Sequence, residues 1–158
     1  MAKRRTRPAA ARRQAAESPI VATLYVESSA LVAALLEHDE QVLKSLQGPA
    51  RQITSSLTFA EAARAIVRAR VGGRLSTDAE RAAVRALRQF ERRCYVVAIT
   101  DDVLQRVKRP FPVEPVRTLD AMHLATVEAL GEPPALVIVL TRAARVREDA
   151  MALGYSVE

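Results

Sequence analysis

The feature that most narrows how this chain can fold is an alternation. Short strand-like runs at 22–26, 52–55, 95–99 and 136–140 take turns with segments of helical periodicity. Runs of that length, separated by helices, are the pattern of parallel βαβ units with helices on both faces of the sheet. The expectation is an α/β fold, a three-layer α/β/α sandwich around a parallel sheet of four to five strands. The fifth would be a short edge strand at Ser156 and Val157. Sheets of this kind place their sites at the carboxyl ends of the strands. The residues that follow each strand therefore carry the functional reading.

After the first strand, Ser28 or Ser29 can cap a helix with Leu31, Leu35 and Leu36 on one face. A short helix at 40–46 ends at Gly48-Pro49. Thr58 and Glu61 have the T-x-x-E spacing of a capping box, and Phe59, Ala63, Ile66 and Val67 recur as a helical core face. Gly72-Gly73 stops that helix. Thr77 and Glu80 repeat the spacing and open another, to about Arg93, with Ala83, Leu87, Phe90 and Cys94 inward. Its opposite face carries Arg81, Arg85, Arg88 and Arg92, a stripe that could meet phosphates, a partner's acidic surface or only water; the solvated reading is preferred because no aromatic residue stands among them. Asp101 starts a short helix to about Lys108, and Pro110, Pro112 and Pro115 shape an irregular loop. Helix 119–130 is apolar on most sides and is expected at the centre. Helix 144–153 should bury Val146, Ala150 and Leu153 before Gly154 ends it.

Bulk properties narrow the class. A chain of 158 residues suits one domain. Aromatic residues make up 4% with no Trp, which argues against a stacking platform for single-stranded bases. The longest apolar run, 136–140, is far too short to cross a membrane. Cys94 is alone, so the chain has no intrachain disulfide and suits the cytoplasm. Charge is uneven. Residues 1–19 carry a net +5 of the whole chain's +6, so residues 20–158 contribute +1. Residues 1–19 are expected to be a flexible basic arm without the apolar core of a secretory signal, and 20–158 the folded domain.

Three acidic residues stand where packing does not explain them. Glu27 joins the first strand to its helix, Glu61 is expected to open the helix after the second strand, and Asp120 lies near the start of the central helix. Charged groups are rarely buried without a partner. If the strands are adjacent, the three can converge on one rim and hold a hard cation such as Mg²⁺. Metal-assisted phosphodiester cleavage needs little more. No zinc pattern, glycine-rich phosphate loop or Ser-His-Asp spacing competes. Each acid also has a plainer reading: Glu61 as a capping residue, Asp120 as a charge complementing a helix dipole, Glu27 as a remnant that binds nothing. Ser29 and Thr141 are expected to orient ligands or cap local backbone. Arg117 could reach a phosphate or pair with an acid. His123, one turn after Asp120, is expected to be a packed, hydrogen-bonded histidine rather than a ligand.

In order along the chain, these segments resemble the motifs of PIN-domain ribonucleases. VESSALVAALLE is similar to their D-x-S-A-L opening, and SSLTFAEAARAIVRARVGGRLS to their second motif, with its acid at Glu61. RTLDAMHLATVEALG is similar to the third, with its acid at Asp120, and LTRAARVREDAMALGYSV has the layout of the C-terminal T-x-D segment. The resemblance covers about residues 23–158 and, within the family, points to VapC-type toxins. It implies a PIN-like fold and an endoribonuclease using Mg²⁺ or Mn²⁺ held by Glu27, Glu61 and Asp120 as metal-binding, catalytic residues. It further implies an RNA substrate, a small antitoxin as partner in a type II toxin–antitoxin pair, and a homodimer. The chain departs from the pattern twice. Glu27 stands where aspartate is usual, and Ala143 where the fourth acid falls. These departures keep a second reading open: a catalytically degenerate PIN-like domain that binds an antitoxin-like partner or RNA without cleaving it.

Overall fold

The computed structural model describes residues 22–158, so the arm expected at 1–19 lies outside the described residues. Strand β1 (Thr23–Val26) runs directly into helix α1 (Ser28–Val32), which continues as a π-helical turn, Ala33–Glu37. Helix α2 (Glu40–Gln47), strand β2 (Arg51–Ser55) and the long helices α3 (Ser56–Val71) and α4 (Thr77–Glu91) follow. Strand β3 (Tyr95–Val97) leads to α5 (Asp101–Val107), the proline loop and α6 (Thr118–Ala129). Strand β4 (Val137–Leu140), α7 (Ala144–Ala152) and β5 (Ser156–Val157) complete the chain.

The five strands are all parallel, in the order β3-β2-β1-β4-β5. Strand β1 is buried along its whole length because helices cover both faces of the sheet. Its side chains alternate between two cores, as the period of two requires. Tyr25 packs with Val103, Leu124, Val139 and Val146 on the α5–α6–α7 side. Leu24 and Val26 pack with Leu31, Val42, Ile66 and Phe90 on the α1–α4 side. This is the expected three-layer α/β/α sandwich with a parallel sheet of five strands. The chain goes one way from β1 to β2 and β3, then returns to place β4 on the other side of β1. The gap between β1 and β4 is thus the switch point at which parallel sheets bind ligands.

The structure corrects several local expectations. Neither T-x-x-E sequence is a capping box. Ser55, the last residue of β2, caps α3 by accepting the Leu57 N–H, and Ser76 caps α4 by accepting the Ala79 N–H. Glu61 therefore lies in the second turn of α3 and does not open it. The buried face of α3 is Thr58, Ala62, Ala65, Ile66 and Ala69, while Ala63 and Val67 are exposed and Phe59 is half-buried. Small residues let α3 lie close over α1, and the Thr54 hydroxyl bonds that of Thr58 at 2.8 Å so that Thr58 can be buried. Strand β3 stops at Val97 rather than Ile99, because β2, its one neighbour among the described residues, ends at Ser55, opposite Val97. The first helix does not simply end. Its π-helical turn closes on His38 in the left-handed conformation (φ 54°).

Candidate active site

Strand β1 delivers Glu27 to the switch point. Its carboxylate folds back as the N-cap of α1, accepting the Ser29 N–H at 3.1 Å. Carboxylates are among the better N-caps because they satisfy an orphan helix donor. The same Oε2 also accepts the hydroxyls of Ser29 and, at 2.8 Å, of Thr141, which follows β4. Oε1 accepts only the Ser28 hydroxyl, at 2.6 Å, and so keeps acceptor capacity for a further ligand. Glu27 is 2% exposed, and its two oxygens accept three hydroxyls and one backbone N–H, so its burial is matched by hydrogen bonds. Ser29 and Thr141, expected to orient ligands, converge on one of its oxygens.

Helix α3 brings Glu61 from the β2 side, and α6 brings His123. His123 Nε2 lies 2.7 Å from Glu61 Oε2 and 3.6 Å from Glu27 Oε1. Its Nδ1 lies 2.9 Å from the Tyr25 hydroxyl. An ionised carboxylate can only accept, so Nε2 carries a proton and donates to Glu61. Burial alone would raise the pKa of Glu61, but the hydrogen bond and attraction of His123 outweigh it and hold the group below its ordinary value. Tyr25 moves far above the ordinary phenol value, first through burial and then through the charge of Glu27.

Donor atoms of Glu27, Glu61 and His123 lie within 4.8 Å of one another. Asp120, in the first turn of α6, is outside that trio and borders it through charge. Burial raises its pKa, Glu27 raises it further, and His123 and Arg117 pull it back. The structure thus brings Glu27 and Glu61 together with a histidine that the sequence placed among packed residues. His123 is indeed buried and hydrogen-bonded, but between Tyr25 and Glu61. Its spacing of three from Asp120, on one face of α6, was the available signal. Arg117 is the exposed N-cap residue of α6, and half-buried Ala143 is the N-cap residue of α7, a side chain without a carboxylate. Asp149 does not replace the missing acid. It is fully buried and accepts the Val113 N–H at 2.8 Å.

The donor set suits a hard divalent cation. It offers carboxylate oxygens, one of them under-used, beside an acid whose ionisation is opposed by negative neighbours that a cation would balance. Among the described residues, no helix is long and apolar enough to cross a membrane.

A parallel sheet of five strands between helices, with Glu27 and Glu61 meeting at its switch point, defines an α/β domain with an acidic rim. Comparison with known proteins makes the assignment specific. The PIN domain pattern matches residues 24–147, and the chain belongs to the PIN domain family. It is 31% identical over 138 residues to ribonuclease VapC35 of Mycobacterium tuberculosis, covering 85% of this chain and 94% of that protein. Its fold is similar to that of VapBC2 from Rickettsia felis, solved with a promoter DNA fragment (TM-score 0.61, 12% identity, 86% of this chain and 97% of that one). It is also similar to that of Mycobacterium tuberculosis VapC20, described as a sarcin–ricin loop cleaving toxin (TM-score 0.60, 17% identity, 84% and 95%). The resemblance read from the four motifs is therefore one of family and fold.

Proposed function

We propose that this protein is a metal-dependent endoribonuclease, the toxin of a type II toxin–antitoxin pair working in the cytoplasm. One observation carries the reading: Glu27 and Glu61 meet at the switch point of a PIN fold, with Asp120 bordering them. Glu27, Glu61 and Asp120 would hold Mg²⁺ or Mn²⁺. Such an ion supplies a water of lowered pKa and stabilises negative charge on phosphoryl oxygens. The chain's own groups fix the geometry. Ser28, Ser29 and Thr141 lock Glu27 in one rotamer. His123 aims Glu61 from behind, backed by Tyr25.

The similarity to ribonuclease VapC35 supports RNA as substrate. The VapBC neighbours support a small antitoxin as partner. A cleft of about 470 Å³ lined by Leu35, Leu36, Leu43, Leu46 and Phe90 offers such a partner an apolar seat. A homodimer is expected by the same family reasoning.

The test is cleavage of a mixed structured RNA pool by partner-free protein in Mn²⁺, Mg²⁺ or EDTA. Cleavage should require metal and fall by about a hundredfold or more in Glu61→Gln and Asp120→Asn, as expected when a metal ligand is removed. Full activity in either variant would remove that residue from the site. Ala143 and the crowding of Glu27 Oε2 favour the second reading, a binding domain without cleavage. Folded protein that binds no Mn²⁺ at millimolar concentration and cuts nothing would establish it.

A further inference from the structure

The place where the fourth acid is missing is a cleft. It has a volume of about 490 Å³ and is lined by Pro115, Val116, Arg117, Asp120, Ala143, Ala144 and Arg145. That volume lies within the usual range of ligand clefts, roughly 300–1,000 Å³. Its side-chain charges are two arginines against one carboxylate, and the carboxylate is the acid that borders the candidate metal site. The neighbouring arginines are committed elsewhere. Arg142 grips Asp39 through Nε at 2.8 Å and Nη2 at 3.2 Å, and Arg147 donates to the Thr141 carbonyl at 3.3 Å. Among the described residues, Arg145 has only a 3.8 Å pair with exposed Glu148, a contact worth little in water. Among the described residues Arg117 makes no ion pair.

The backbone adds to this. Among the described residues, five of the seven α-helices have a side chain capping the N-terminus. The two that lack one are α6, starting after Arg117, and α7, starting after Ala143. Both open at this cleft, so two helix N-termini without side-chain caps and two guanidinium groups border the same space. An aspartate at position 143 would cap α7 and cancel one of the charges. Alanine adds neither a cap nor a charge there. The described body is close to neutral, so a nucleic acid must be gripped by such local groups rather than by overall charge.

We propose that this cleft binds a phosphate of the RNA strand next to the phosphate presented to the acidic rim, held by Arg117 and Arg145, with Ala143 keeping the cleft open to it. This deepens, and rests on, the reading of RNA as substrate. The site is a phosphodiester subsite in place of a fourth carboxylate, and it sets where the strand lies relative to Asp120.

The test separates binding from cleavage. A fluorescein-labelled single-stranded RNA 12-mer is titrated in EDTA with the full chain, over a range of KCl concentrations. Variants are Arg117→Ala/Arg145→Ala, Ala143→Asp, and Arg81→Ala/Arg85→Ala on α4 as control. The proposal expects the double arginine variant to lose about tenfold or more in affinity at low salt, with a shallower salt dependence, since two phosphate contacts are removed. Ala143→Asp should weaken binding in the same direction while raising the melting temperature, because aspartate is a good N-cap. The control should bind as the parent does. Parent-like binding by both cleft variants, or loss confined to the α4 control, overturns the proposal, as does a parent that does not bind the RNA in EDTA. Metal-dependent cleavage that survives while the cleft variants bind normally would overturn the subsite alone and leave the proposed activity standing.

Discussion

The two halves of the rim are built in opposite ways. On the β1–β4 side, Glu27 is buried and held by three hydroxyls and a backbone N–H. On the α6–α7 side, Asp120 is half-buried, its ionisation opposed by burial and by Glu27, and the helix starts beside it lack side-chain caps. One half is satisfied within the protein, and the other holds charges that neighbouring side chains meet only loosely. A group whose bonds are complete contributes order. A group whose bonds are incomplete contributes affinity for a ligand.

The contrast can be broken at graded cost. Glu27→Ala should have the largest effect on the fold, about 3 kcal/mol, because it leaves buried hydroxyls and an orphan helix N–H unpaired; urea unfolding would measure it. A value within about 0.5 kcal/mol, the usual range for surface changes, would mean the carboxylate is not the organiser described. His123→Ala should follow at about 2–3 kcal/mol, since the Tyr25 hydroxyl and Glu61 both lose their partner and a buried ring is removed. Thr141→Val keeps the shape and deletes one bond to Glu27, for about 1–2 kcal/mol.

Acid provides a milder probe of the ordered half. Arg142, and then the Val42 N–H, lower the Asp39 pKa from 3.8 to about 2. A carboxylate depressed in the folded state stabilises the protein above its unfolded pKa. That contribution is lost as pH falls from about 4 through about 2. The melting temperature of Asp39→Asn should therefore fall less steeply than the parent's across that window, and parallel curves would show that the clasp contributes nothing. The smallest stability effect belongs to the other half. Arg145→Ala should change unfolding by under about 0.5 kcal/mol, as expected for an exposed side chain, and be felt in RNA binding alone.

The order of elements and the parallel sheet were legible because buried strands and amphipathic helices have distinct periods. Glu27, Glu61 and Asp120 stood out because carboxylates at strand ends need a reason to be there. The helix starts were misread because T-x-x-E is a local pattern, whereas β2 runs into α3 without a loop and caps it with its own last residue, Ser55. The face of α3 was misjudged because hydropathy favours Phe59 and Val67, while close packing on α1 favours alanine. The partners of His123 lie 62 and 98 residues away in sequence, so no spacing rule reaches them.

Glu27 is both the first hydrogen-bonding group of α1 and a member of the acidic rim. Changes that adjust the rim at this position also adjust where the first helix begins. Aspartate would cap a helix as well but is shorter by one carbon–carbon bond, roughly 1.5 Å, so the shorter acid would give up either its reach into the rim or the hydroxyls it now collects. Under the proposed function, the demands of the rim and the demands of folding therefore meet on the same few atoms, and neither can be changed at this residue without being answered by Ser28, Ser29 or Thr141.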